Sequence, residues 1–172
     1  PEKSLAIQAE IVRILDKFTA LTAELTAELT AELNMRKKHY NYYRDQLLSF
    51  DEEQEKPIYL EKLLDGVEVE WKSLGDVVNF QRGRRLVKSQ LETRGKYAVY
   101  QNSMTPLGYY HEYNVAAQSS FIICAGAAGE IGYSENEFWA ADDVHFAITP
   151  EYINDRFLFH FLLTQKNKIS GQ

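Results

Sequence analysis

The chain has 172 residues, 45% of them hydrophobic, a net charge of −6 and one cysteine. That is enough for one ordinary domain with an appendage, and the single cysteine, Cys124, excludes an internal disulfide framework and any multi-cysteine metal site. A reducing, intracellular setting fits, no apolar run approaches the ~18 residues of a membrane span, and the N-terminus lacks a signal-peptide pattern.

Residues 4–50 contain neither Pro nor Gly. Ser4, after Pro1, reads as an N-cap. Ile7, Ile11, Ile14, Phe18, Leu21 and Leu25 follow in alternating steps of four and three, the heptad rhythm of a coiled-coil seam. Residues 22–33 then repeat Thr-Ala-Glu-Leu three times in tandem, so Leu25, Leu29 and Leu33 step by four and four again. The alternation resumes through Arg36, Tyr40, Tyr43, Leu47 and Phe50. Two extra four-residue steps are stutters, which unwind a supercoil locally while the seam keeps facing its partner. The pattern predicts a helix over about 4–49, roughly 69 Å long at 1.5 Å per residue. One amphipathic helix of that length cannot bury its own stripe, so a partner helix is expected, from a second copy or from a missing half. Four residues make about one turn, so each repeat lengthens the helix without breaking it, as an adjustable spacer would.

After the helical segment (1–50), residues 51–57 read as an acidic, proline-ended linker, and the character changes at 58–172. All nine glycines lie at or after Gly66. Short β-branched or aromatic segments bounded by Gly, Asn or Ser predict strands over 68–72, 77–81, 97–100, 119–123, 132–133 and 144–149. Residues 74–78 read alternatively as a short helix. Residues 154–164, with Phe157, Leu158, Phe161 and Leu162 at helical spacing, predict a terminal helix. The fold class is α+β: a long coiled-coil-forming helix, then a compact mixed α/β domain of short strands.

Positive charge is concentrated in one block: residues 71–111 carry seven basic and two acidic side chains, net +5. Lys72, Arg82, Arg84, Arg85 and Lys88 supply cations that suit phosphate oxygens, and the arginine forks also match a guanine O6/N7 edge. Gln101, Asn102 and Ser103 follow, then Tyr109 and Tyr110; amides pair with adenine N6/N7. Cations followed by amide and tyrosine side chains on loops suit a groove-reading surface. The alternative is a solvated basic hairpin beside core tyrosines.

Gly126, Gly129 and Gly132 space a small-residue run after an apolar strand, but it is not G-x-G-x-x-G and lacks a Walker lysine. It reads as a tight strand-to-strand loop. Asp142-Asp143-Val144-His145 invites a metal or acid–base reading, yet no further ligand cluster is near in sequence, and a hydrogen-bonded turn before a strand fits better. Cys124 reads as a buried, inert thiol. Trp71 and Trp139 read as core or edge aromatics, and His39 and His160 as packing or surface residues. No cofactor, metal or catalytic residue is expected.

The opening run 1–15, the Thr-Ala-Glu-Leu repeats and Arg36-Lys37-Lys38-His39-Tyr40-Asn41-Tyr42-Tyr43-Arg44 resemble the conserved helical region of type I restriction–modification specificity subunits. Gly66-Val67-Glu68-Val69-Glu70-Trp71-Lys72-Ser73-Leu74-Gly75-Asp76 resembles the start of that family's target recognition domain, and 121–132 and 138–148 its later strand-loop-strand sections. The resemblance implies a non-catalytic bacterial, cytoplasmic subunit that binds double-stranded DNA and docks methyltransferase subunits, and through them restriction subunits. A full-length member has two recognition domains and two helical regions. This sequence carries one of each, so a fragment or half-size variant is expected.

The leading reading is therefore a DNA-recognition domain on a spacer helix, reading one half of a bipartite target. Its rival is a coiled-coil scaffold with a protein- or ligand-binding domain and no DNA role. A third reading, an enzyme using Asp142, Asp143 and His145, lacks a complete constellation.

Overall fold

The computed structural model describes residues 2–48, 58–68 and 70–169, in two units divided between Leu47 and Leu48. The linker expected at 51–57 and the seam's last residue, Phe50, lie outside the described residues.

The first unit is one helix, α1 (Glu2–Leu47), of 46 residues. Ala, Leu and Glu dominate its repeats and favour helix, and no Pro or Gly interrupts it. It starts ahead of Ser4, so Ser4 is not the N-cap; its hydroxyl instead accepts from Gln8 Nε2 at 3.1 Å within the helix. The repeat threonines turn their hydroxyls back onto the helix. Thr22, Thr26 and Thr30 donate to the carbonyls of Phe18, Thr22 and Thr26 at 2.8, 2.7 and 2.7 Å. No side chain of α1 is buried. The seam is open along its length, from Ile7 at 62% exposure to Leu47 at 39%.

The second unit begins with α2 (Ile58–Leu64) and α3 (Leu74–Val77) and then builds two sheets. The strands are β1 (Asn79–Arg82), β2 (Tyr97–Tyr100), β3 (Gly108–Tyr110), β4 (Ser119–Ile123), β5 (Ile131–Ser134), β6 (Phe138–Ala140) and β7 (Val144–Ile148). One sheet has the order β1-β7-β4-β5 and is antiparallel; the other has the order β3-β2-β6, with β2 and β6 parallel. Helices α4 (Asp155–Thr164) and α5 (Lys166–Ile169) follow.

Period-two alternation in β4 and β7 gives the larger sheet two apolar faces. Phe121, Ile123, Val144 and Phe146 pack toward the smaller sheet through Phe138, Ala140 and Tyr100. The Phe121 and Phe138 rings stand 5.0 Å apart. Ile131 and Ala147 pack against Leu158 and Leu162 of α4 on the other face. Asn154 caps α4, its Oδ1 accepting from the backbone N–H groups of Arg156 and Phe157 at 2.9 and 3.0 Å.

The strands predicted at 97–100, 119–123, 132–133 and 144–149 and the terminal helix are present, within a residue or two at their ends. The expected strand-loop-strand sections at 121–132 and 138–148 are β4–β5 and β6–β7. Two expectations fail. Around 68–72 the described residues are irregular, because Val67 and Trp71 are 68% and 62% exposed and no sheet edge receives them. Trp71 is thus neither core nor edge. The predicted strand 77–81 starts later, at Asn79, because Leu74–Val77 takes the helical alternative.

Candidate nucleic-acid interface

The strand registers gather the loops. β1 ends at Arg82 opposite His145, the second residue of β7, and β4 ends at Ile123 opposite Val144. β2 ends at Tyr100 beside Ala140, the last residue of the parallel β6, and β3 begins at Gly108. Connections 83–87, 101–107, 124–130 and 141–143 therefore all leave from the same end of the two sheets.

Backbone hydrogen bonds knit these connections together. Gly83 N–H donates to Val144 O at 2.8 Å and Arg84 N–H to Ala140 O at 2.9 Å. Ala141 N–H reaches Tyr100 O at 2.9 Å, Cys124 N–H reaches Asp143 O at 2.7 Å, and Ala127 N–H reaches Asn102 O at 2.9 Å. Two glycines make this packing possible. A Cβ at Gly83 would sit 2.2 Å from Ala141 O, and one at Gly126, where φ is +76°, would sit 2.6 Å from Asn102 O.

Most of the predicted contact residues come to this end. Arg82, Arg84, Arg85 and Lys88 are all exposed, with Leu86 buried beneath them. Arg82 is only partly available, because its Nε donates to Asp142 O at 2.7 Å and clamps the 141–143 turn. Asn102 is exposed and Gln101 half-buried. Ser103 is engaged locally, donating to Thr105 O at 2.9 Å and accepting from Thr105 N–H at 3.3 Å.

Three predicted residues are placed differently. Tyr109 and Tyr110 belong to edge strand β3 rather than to a loop. Tyr109 is 46% exposed, while Tyr110 packs edge-on against Trp139 at 5.2 Å between ring centroids. Lys72 stands apart from the cluster. It pairs with Glu70 at 3.0 Å, and that carboxylate, with Tyr152 contributing, raises the lysine's pKa above its ordinary value.

Two residues to which the sequence pattern gives no part in the site hold the cluster together. Trp139 donates from Nε1 to Arg84 O at 3.0 Å. Asn114 pairs with the free edge of β6 as a neighbouring strand would: Nδ2 donates to Ala140 O at 2.8 Å and Oδ1 accepts from Ala140 N–H at 2.7 Å.

Cys124 is exposed rather than buried, because it follows the last residue of β4 and opens the loop. Its Sγ lies 2.7 Å from His145 Nδ1. Partial enclosure pushes the thiol's pKa up, with His145 and Arg82 pulling the other way. Cys124 and His145 line a cavity of about 360 Å³ with Phe80, Ile122 and Leu162. Asp142 and Asp143 form the turn before β7; Gly126 and Gly129 lie in the β4–β5 loop, and Gly132 lies in β5. Among the described residues no group of three or more His, Cys, Asp or Glu is placed to hold a metal ion.

A long open helix followed by a two-sheet domain with clustered polar loops defines the class. Residues 66–172, well over half of the chain, match the family described as the type I restriction modification DNA specificity domain, and the chain belongs to that family. It is 60% identical over 92 residues to the specificity subunit of the type I restriction enzyme EcoR124I/EcoR124II of Escherichia coli, covering 54% of this chain and 18% of that protein. It is 42% identical over 168 residues to the EcoprrI specificity subunit of Escherichia coli, covering 94% and 38%. The chain thus spans well under two thirds of the length of these relatives. The fold is similar to that of the type I restriction–modification S subunit from M. genitalium, with a TM-score of 0.70 at 20% identity over 84% of this chain and 38% of that one. The HsdS subunit from Thermoanaerobacter tengcongensis matches with a TM-score of 0.57 at 13% identity, over 93% and 42%.

Proposed function

We propose that this chain selects DNA sequence for a type I restriction–modification system. The domain at 58–172 reads one half of a bipartite target, and α1 sets the distance to the other half. Methyltransferase subunits, and through them restriction subunits, supply the chemistry, and the chain itself contributes binding. The observation that carries this reading is the convergence of four connections at one end, with Arg84, Arg85, Lys88 and Asn102 exposed on it. Arginine forks and lysines there suit phosphates, and an amide and arginines suit base edges. Family membership disfavours the scaffold without a DNA role. The described residues contain no helix long and apolar enough to cross a membrane.

The test is methylation mapping in cells carrying the system, with and without the chain and with the double reversal Arg84→Glu/Arg85→Glu. The target sites should lose methylation in the double variant, while the folded chain is still recovered. Unchanged methylation and unchanged DNA affinity would remove Arg84 and Arg85 from the interface.

A further inference from the structure

α1 is sorted around its axis in a way its apolar seam does not require. At about 100° per residue, the residue after each seam position falls on one flank and the residue before it on the other. From residue 19 onward the first flank reads Thr19, Thr22, Thr26, Thr30, Asn34, Lys37, Asn41 and Arg44, and contains no carboxylate. The second collects every repeat glutamate, Glu24, Glu28 and Glu32. The two flanks lie roughly 160° apart, on opposite sides of the leucines. The carboxylate-free flank is ~37 Å long, about the rise of eleven base pairs of B-DNA.

The cations are unequal. Arg36 is held by Glu32 at 2.7 Å. Arg44 is held by Asp45 at 2.7 Å and lies over the Tyr40 ring. Lys37 has no ion pair among the described residues, and it is exposed. The threonines spend their protons on backbone carbonyls, which leaves a low, uncharged surface leading to Asn34, Lys37 and Asn41. These three donors rise ~4.5 and ~6 Å apart along the axis, each on an adjoining turn of the same side. Protein docking surfaces are centred on apolar or aromatic anchors, and between Thr19 and Arg44 this flank has none. Phosphate contacts, in contrast, come typically from side chains that include Lys and Asn.

We propose that this flank, from Thr26 to Asn41, lies against the sugar–phosphate backbone of the unread DNA between the half-sites. Lys37 meets a phosphate, Asn34 and Asn41 donate amide N–H, and the glutamate flank is turned away. The helix is then a backbone-binding surface as well as a spacer. This rests on the proposed DNA reading.

Placing charge on one side or the other tests it. Thr26→Glu/Thr30→Glu and Met35→Glu/His39→Glu each add two carboxylates, the second pair on the glutamate flank, opposite the threonines. Binding of the full chain to a mixed-sequence duplex of about 40 base pairs is measured at several salt concentrations, with helicity checked by circular dichroism. The threonine pair should weaken binding by about ten-fold, and the Met35/His39 pair should change it little, because its carboxylates stand across the helix, a screening length of ~8 Å or more from the phosphates. Lys37→Gln should lower the salt slope by ~0.9, and Lys17→Gln, on the glutamate flank, should leave it unchanged. Equal effects of the two glutamate pairs would overturn the proposal. So would loss of association with methyltransferase subunits at unchanged DNA affinity, which would make the flank a protein surface. If Arg84→Glu/Arg85→Glu alone abolishes binding, the flank falls and the DNA reading stands; if the unmodified chain binds no duplex, both fall.

Discussion

Trp139 and Arg84 are joined across 55 residues of sequence by one hydrogen bond, from indole Nε1 to backbone carbonyl at 3.0 Å. The same indole stands edge-on to Tyr110. The arginine-bearing connection is thereby tied to the smaller sheet, and the direction in which Arg84 and Arg85 leave the surface is set by a side chain that need not touch DNA.

Trp139→Phe keeps an aromatic ring against Tyr110 and removes the donor. The expected loss of stability is about 1 kcal/mol, the usual net worth of one such hydrogen bond. Target affinity should fall by more than stability alone explains, while binding to nonspecific DNA changes little. Urea midpoints and binding to both duplexes measure this. An affinity loss shared equally by target and nonspecific DNA would show that Trp139 does not position the reading residues.

Gly83 allows the chain leaving β1 to pass against Ala140 and Ala141. Gly83→Ala places a methyl group against two carbonyl oxygens, the nearer at 2.2 Å, and neither is a flexible side-chain end. The backbone must shift, straining the bonds from Gly83 N–H to Val144 O and from Arg84 N–H to Ala140 O. A destabilisation of about 1–3 kcal/mol is expected, as for overpacked sites generally. Gly75→Ala is the control, since a Cβ there meets nothing closer than 4.0 Å. Equal urea midpoints for the two variants would contradict the account.

Much of this fold is legible because its periods are long enough to register. Heptad steps reveal α1, and alternation or apolar runs reveal β2, β4 and β7. Strands β3 and β6 have three residues each, too few for period two to emerge from residues alone. Residues 68–72 alternate, but Glu68, Glu70, Trp71 and Lys72 are all exposed, so pattern without a receiving edge misleads. At the site, composition points to Arg84, Arg85 and Asn102. It cannot show that Lys72 stands apart or that Arg82 is partly spent on Asp142 O. The ties made by Trp139 and Asn114 run to backbone atoms 55 and 26 residues away, and such bonds leave no trace in local pattern.

Cys124 combines exposure with a thiol held in its protonated form. Partial enclosure raises its pKa, outweighing the pull of His145 and Arg82. The folded chain therefore binds this proton more tightly than the unfolded chain. That contribution to stability is fully present below the ordinary thiol range and is lost as pH rises through the folded value. Alkylation by iodoacetamide should be slower in the native chain than in denaturant at neutral pH, with a pH midpoint shifted upward. A native midpoint below the denatured one would contradict this.

The repeats set a length, and the seam explains why that length is adjustable. From Ile7 to Leu47 the seam takes eleven steps in forty residues, about 3.6 residues per step, the period of a straight helix. Uninterrupted heptads would drift across the helix face, and the two extra four-residue steps cancel that drift. Removing one repeat leaves ten steps in thirty-six residues, again about 3.6, so the stripe stays on one face. The helix shortens by ~6 Å, against ~3.4 Å of rise per base pair. Deleting residues 26–29 should therefore shorten the unread gap by about one to two base pairs and leave both half-sites unchanged. Methylation mapping of the deletion variant reads this directly. A changed half-site, or an unchanged gap, would mean that α1 does not set the spacing.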